Sequence, residues 1–357
     1  MKRHRGFSLV ELMIAITLAL LLTGAVIAVF IGSRSAYEST AGVGDMSDSG
    51  RMALNLIGES VRSAGSLACN SAMTATSQNV TVNPGAFDRN FGQGVAGFEA
   101  NGTAPLAAIA LPALPVVGAT NNWTPNLDPT VTGAANPGQP VQGSDVLVLR
   151  SSVPRITPTY TTVDVAPGAA ALTVTPTLFA IGGNAYAAVS DCTKSVIFQV
   201  PVAVALGATA VTLNAGVPVG FSAGAIVTPL TTTIYYIGVG SDGDSSLFRI
   251  EQVNGGPGFT TNPPEELVPD IENMQVLYGI DPAGTQTAAA YVTADQVGVL
   301  NVVSIQVALL VASPAAGKQV PGLVPFYTLL GTQVTPPVDN RSRQVFYATL
   351  NLRNAVN

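Results

Sequence analysis

The chain has 357 residues, enough for one large or two modest domains. Only 10% of them are charged, while Gly and Pro number 36 and 25, so the body is loop-rich and β-leaning rather than mostly helical. The formal net charge of −6, with no basic run in the body, argues against a nucleic-acid partner.

The first predicted element is a membrane helix. Lys2, Arg3, His4 and Arg5 form a basic head, and no charged residue occurs from Leu12 to Ile31. About 20 apolar residues at 1.5 Å rise make a helix of roughly 30 Å, enough to cross a bilayer. The basic head predicts that this end stays cytoplasmic and that everything after Ile31 lies on the other side. Glu11 is the anomaly, because an ionised carboxylate in an apolar span costs on the order of 2 kcal/mol or more without a partner. A cut between Gly6 and Phe7 would remove the head, keep the helix and create a new cation, the Phe7 amine, four residues before Glu11. It would also remove Lys2, Arg3 and Arg5, lowering the −6 by three to −9.

Gly6-Phe7-Ser8-Leu9-Val10-Glu11, with its short basic leader and apolar helix, resembles the class III signal of type IV prepilins and related pseudopilins. The resemblance implies cleavage after Gly6 by a prepilin peptidase and N-methylation of Phe7. It also implies that the Glu11 carboxylate docks by pairing with the Phe7 amine of a neighbouring subunit. A buried charge is tolerable when a second chain supplies its counter-charge, and stranding either partner is costly.

Residues 1–6 are thus read as a leader, 7–31 as a transmembrane and fibre-core helix, and 32–64 as its amphipathic continuation. Ala53, Leu56, Ile57, Val61 and Ala64 recur at three- and four-residue spacing, giving one apolar face. Gly42, Gly44 and Gly50 interrupt it, and Asp45, Ser47 and Asp48 offer caps for a restarted helix. The stretch 42–50 is expected to be weak, either a hinge or ordinary loop.

Residues 65–357 are expected to form one β-rich globular domain. The clearest strand patterns are 145–150, 195–200, 231–239, 246–251, 273–280, 302–312 and 344–352. Residues 100–143, rich in Pro, Gly, Asn and Thr, read as a long surface loop in which Trp123 is an aromatic that a ligand could use, although a lone Trp in a loop is usually packing. Cys69 and Cys192, an even pair outside the cytoplasm, are expected to form a disulfide. The predicted fold class is α+β, a pilin-like long N-terminal helix packed on an antiparallel β-rich domain.

Catalytic and metal chemistry find little support. The sole histidine, His4, lies in the leader, which excludes the usual Ser-His-Asp, Cys-His and imidazole-zinc sites from the processed chain. Asp242 and Asp244 are spaced as in a calcium loop but lack its later Gly and Glu, so a hairpin turn is preferred to a metal site. Glu265 and Glu266 are adjacent acids with no visible basic partner. No enzyme activity and no cofactor are expected.

Gly50–Gly65, Cys69, Gly143–Arg150, Leu267–Asp281 and Arg343–Arg353 resemble landmarks of PilW-type minor pilins. That resemblance implies a low-copy subunit that joins other minor pilins and the major pilin, primes pilus assembly and lies near the fibre tip. It implies a single-pass inner-membrane protein with a periplasmic C-terminal domain, handed by the pilus assembly machinery into the extracellular pilus. A minor pseudopilin of a type II secretion system shares the N-terminal features, and a pilus-associated adhesin using the 100–143 loop is the third reading.

Overall fold

The computed structural model of the protein describes residues 9–71, 77–81, 83–87, 89–133, 138–153, 156–252, 263–298, 301–316, 325–339 and 341–353. One α-helix, α1 (Leu9–Ser63), runs without interruption through the stretch expected to be weak. Residues 9–41 of it project over a length of about 50 Å, with the described side chains exposed. From there a buried stripe of Gly42, Met46, Gly50, Ala53, Ile57 and Val61, stepping by three and four, lays the helix on the β-domain.

The glycines explain why the helix does not break. A Cβ on Gly50 would meet the Phe346 ring at 2.4 Å, and one on Gly58 would meet Leu350 at 3.3 Å, so their absence lets helix and sheet approach closely. The local cost of a helical glycine, roughly 0.5–1 kcal/mol, is offset by that packing. Asp45, Ser47 and Asp48 lie within the continuous helix and cap nothing.

Two sheets clasp the docked half of α1. The larger contains β1 (Val95–Ala100), β2 (Val146–Ser152), β3 (Ala185–Ser190), β4 (Ser195–Val200), β5 (Ile226–Val239) and β6 (Ser245–Gln252), with the central order β4-β3-β5-β2-β1 and β6 paired to β5. The smaller is antiparallel: Ala290–Val292, then β7 (Ile271–Ile280), β8 (Val302–Ala316) and β9 (Arg341–Asn351). The main core lies among helix and both sheets, with Ala53, Ile57 and Val61 against Leu147, Leu149, Tyr235, Met274, Ile305 and Val307. The far face of β2 and β5 (Val146, Val148, Ile234, Tyr236) covers a second cluster, so these strands are apolar on both sides.

That second cluster corrects the reading of residues 100–143. The segment is a long connection, yet it sends Trp123, Leu127 and Val131 into the core beside Phe98 and Phe248. Trp123 is 1% exposed and its indole donates to the Ser144 carbonyl at 2.8 Å, so it packs and presents nothing to a ligand.

Between β2 and β5 the chain builds a unit with a core of its own, including Val165, Leu172, Phe179, Ile181, Val204, Val211 and Phe221. The unit is internally duplicated. Val165-Ala-Pro-Gly168 through Leu172 matches Val204-Ala-Leu-Gly207 through Val211, and Ala171–Thr173 pairs antiparallel with Ala210–Thr212 about Leu172↔Val211. The bridge Val165↔Phe221 has its counterpart in Ile181↔Val204. Likewise Gly168 N–H donates to Val217 O at 2.7 Å and Gly207 N–H to Thr177 O at 2.8 Å. Two copies related by a pseudo-two-fold axis thus close one small core.

Candidate functional site

The site is the projecting half of α1. Gly6 and Phe7 lie outside the described residues; Glu11 is in the first turn of the described helix and is exposed. Around it Leu9, Val10, Leu12, Met13 and Ile14 are all more than half exposed, and large apolar side chains stay so up to Ile31. The hydroxyls in this span are satisfied along the helix: Thr17 donates to Met13 O at 3.1 Å and Thr23 to Ala19 O at 2.6 Å. The first ion pair after the span is Arg34 Nε to Glu38 Oε1, 2.8 Å, one turn apart. By length and composition α1 can cross a membrane.

What holds that helix out is a clamp built from the β-domain. The Tyr235 hydroxyl is 2.8 Å from Ser60 Oγ and donates to Leu56 O at 3.3 Å, while Gly65 N–H, just past the helix, donates to Arg150 O at 2.8 Å. Gly143–Asp145 joins the two sheets. Asn273 Nδ2 donates to Gly143 O at 2.7 Å, and Met274 N–H donates to Ser144 Oγ at 3.0 Å. The Asp145 carboxylate accepts from Ala100 N–H at 2.9 Å and from Val276 N–H at 2.8 Å. Burial pushes the Asp145 carboxyl well above the usual range, and the nearby Glu99 carboxyl adds to this. Burial likewise raises Glu99 to about 7, against the hydrogen bond it accepts from Thr103.

Ion pairs knit the small sheet. Arg343 binds Glu272 at 2.7 Å and Asp339 at 2.5 Å with its side chain fully buried, and Arg341 binds Asp244 at 3.0 Å and also Asp270. Asp242 and Asp244 lie in the turn between β5 and β6, where Asp244 N–H donates to Asp242 Oδ1 at 3.0 Å. They therefore build a hairpin and an ion pair, and among the described residues no group of three or more His, Cys, Asp or Glu is placed to hold a metal. Glu265 and Glu266 are likewise engaged, with Arg249 at 2.7 Å and Ser246 at 2.7 Å respectively.

Cys69 and Cys192 form a disulfide that spans 123 positions. It ties the exit of α1 to the turn between β3 and β4, where Asp191 Oδ1 accepts from Thr193 N–H at 3.1 Å and Lys194 N–H at 3.0 Å. Sequence reasoning missed the roles of Glu99 and Asp145. The only signal available was an Asp directly before an unbroken apolar strand.

A family model of the prokaryotic N-terminal methylation motif matches residues 1–27, and one of the type IV pilus-assembly protein W matches residues 234–354. No curated protein matches the chain. The second match runs from the middle of β5 through β9, the strands that clasp α1, and lies beyond the duplicated unit. With a methylation motif opening a long apolar helix and the PilW match over the sheet that holds it, the chain is a type IV pilus-related pilin that matches the PilW family.

Proposed function

We propose that the chain is a minor pilin that primes type IV pilus assembly with other minor pilins near the fibre tip. It is cleaved after Gly6, methylated on Phe7 and handed from the inner membrane into the fibre with its β-domain facing outward. The observation that supports this most is the exposed apolar run of α1 over residues 9–31, which carries one carboxylate, Glu11, near its start. Exposed to water, that surface would be prohibitive at about 25 cal/mol per Å², so the helix resides in lipid or against other pilin helices. Glu11 guides the transfer by neutralising the Phe7 amine of the adjoining subunit. The role is structural and needs no catalytic group.

The test is to map the mature N-terminus by mass spectrometry and compare Glu11→Ala with the parent chain. Both should begin at N-methylated Phe7 and insert in the membrane, and only the variant should fail to support piliation. A mature chain that retains residues 1–6 would remove the basis for the reading.

A further inference from the structure

We infer that the outer edge of β9 is an assembly surface: it pairs with an uncharged edge strand on the globular domain of a different pilin subunit. The inference rests on the pilin reading above and adds a second contact to the helix. Strand β9 ends the small sheet, and among the described strands only β8 pairs with it. Its register against β8 is regular from Ser304↔Asn351 to Ala312↔Arg343, with no bulge in between.

The backbone parity defines what the edge offers. Leu352 N–H donates to Val303 O at 3.0 Å and Ser342 N–H to Ser313 Oγ at 3.1 Å, so even-numbered residues turn their backbone groups toward β8. Val345, Tyr347 and Thr349 therefore turn theirs outward, because strand hydrogen bonding alternates with a period of two.

Soluble proteins protect such an edge with charges, proline, a bulge or a short strand. Here Gln344–Asn351 contains no charged residue, no proline and no glycine. Arg341 and Arg343 stand at one end, their guanidinium groups engaged with Asp244, Asp270, Glu272 and Asp339, and Arg353 lies two residues beyond the other end. Tyr347 is 77% exposed and Thr349 is exposed, so the side chains beside the edge are open to cross-strand pairing. A long, regular, uncharged edge is a template for strand addition.

The geometry also selects the partner. Gly50 and Gly58 of α1 face Phe346 and Leu350 of β9, so helix and strand run in the same direction; eight helical residues and four strand residues both span about 12–13 Å. Antiparallel pairing of β9 with a second β9 would place a two-fold axis across the strands and reverse one α1 against the other. Two α1 helices inserted in one membrane with the same orientation cannot meet that way, and a parallel pair of β9 strands would need two copies of a low-copy subunit side by side. A different pilin whose helix lies beside the projecting half of α1 brings its own domain to this flank with both helices parallel.

The experiment places a photo-crosslinking amino acid at Tyr347 of the full chain in piliated cells, with Leu106, exposed on another part of the domain, as the control position. The expected product joins position 347 to a different pilin, with the linked peptide mapped to a strand of that pilin's globular domain. Two parallel strains carry the photoprobe at Val345, one with Tyr347→Lys and Thr349→Lys and one without. The lysine variant should lose the pili and the crosslink that the other strain gives, while cleavage and thermal unfolding stay unchanged. A product linking two copies of this chain, no product from position 347, or pili unaffected by the paired lysines would each overturn the inference. The failures separate: intact pili in Glu11→Ala would contradict the pilin reading, whereas loss of pili in Glu11→Ala with intact pili in the lysine variant would contradict the edge alone.

Discussion

Single atoms decide several features here, and the helical glycines are the clearest case. Replacing a solvent-facing helical Gly by Ala ordinarily stabilises by up to about 1 kcal/mol. Gly44, with no atom within 4 Å of an added Cβ, should follow that rule, whereas Gly50, whose Cβ would fall 2.4 Å from Phe346, should reverse it. We expect Gly44→Ala to raise the unfolding temperature and Gly50→Ala to lower it, the latter by about 1–3 kcal/mol of overpacking. Thermal unfolding of the two variants checks both signs, and Phe346→Ala in the Gly50→Ala background should show non-additivity.

The buried acids give a pH dependence. Burial raises Glu99 from its ordinary 4.5 to about 7 in the folded chain, so between these values the native state holds a proton that the unfolded state has released. Its contribution to stability is therefore full below about pH 4.5 and is lost as pH rises through about 7. Asp145, raised for the same reason, acts in the same direction. Unfolding free energy measured against pH should fall across this window in the parent chain and fall less steeply in Glu99→Gln. These carboxyls were hidden in the sequence because their effect comes from three separate segments, around Ala100, Asp145 and Val276, meeting in one core.

Among the elements, the strands were the most legible. The patterns at 195–200, 231–239, 273–280 and 344–352 all fall on observed strands, because each has a buried face that imposes its period. The helix was legible in extent but not in continuity: Gly42, Gly44 and Gly50 signal a weak helix locally, and the sheet that rewards two of them lies some 300 residues away. The duplicated unit was legible and was missed. Its 39-residue offset stands in the sequence at Val165 and Val204, yet self-similarity shows only when fixed periods are compared. The disulfide could be expected from an even pair of cysteines in a domain that the basic head predicts to lie outside the cytoplasm, but not what it joins. Closing a loop of 123 residues is worth roughly 4–5 kcal/mol in the chain-entropy model, and measured values run near 2–4. Cys69→Ser should lower stability by that order and change non-reducing gel mobility. Unchanged mobility would contradict the bridge.

For the whole molecule, the arrangement separates two tasks. A clamp made of β2, β5, β7, β8 and β9 fixes the second half of α1, and the first half is left as an apolar rod with Glu11 at its start. The PilW match covers the latter part of that clamp, while the duplicated unit is an addition between β2 and β5, tied back by Cys69–Cys192. This organisation followed from the sequence at the level of class, α+β with a membrane-length helix. The two-core layout did not, because cores are set by which strands meet.

The most direct measurement uses a strain that lacks this chain, complemented with the parent chain or with Glu11→Ala, and scores surface pili by electron microscopy and exoprotein secretion in the same cultures. The account predicts lost pili with normal secretion, restored by the parent chain and not by Glu11→Ala. Normal pili with lost secretion would contradict it and assign the chain to a type II secretion pseudopilus.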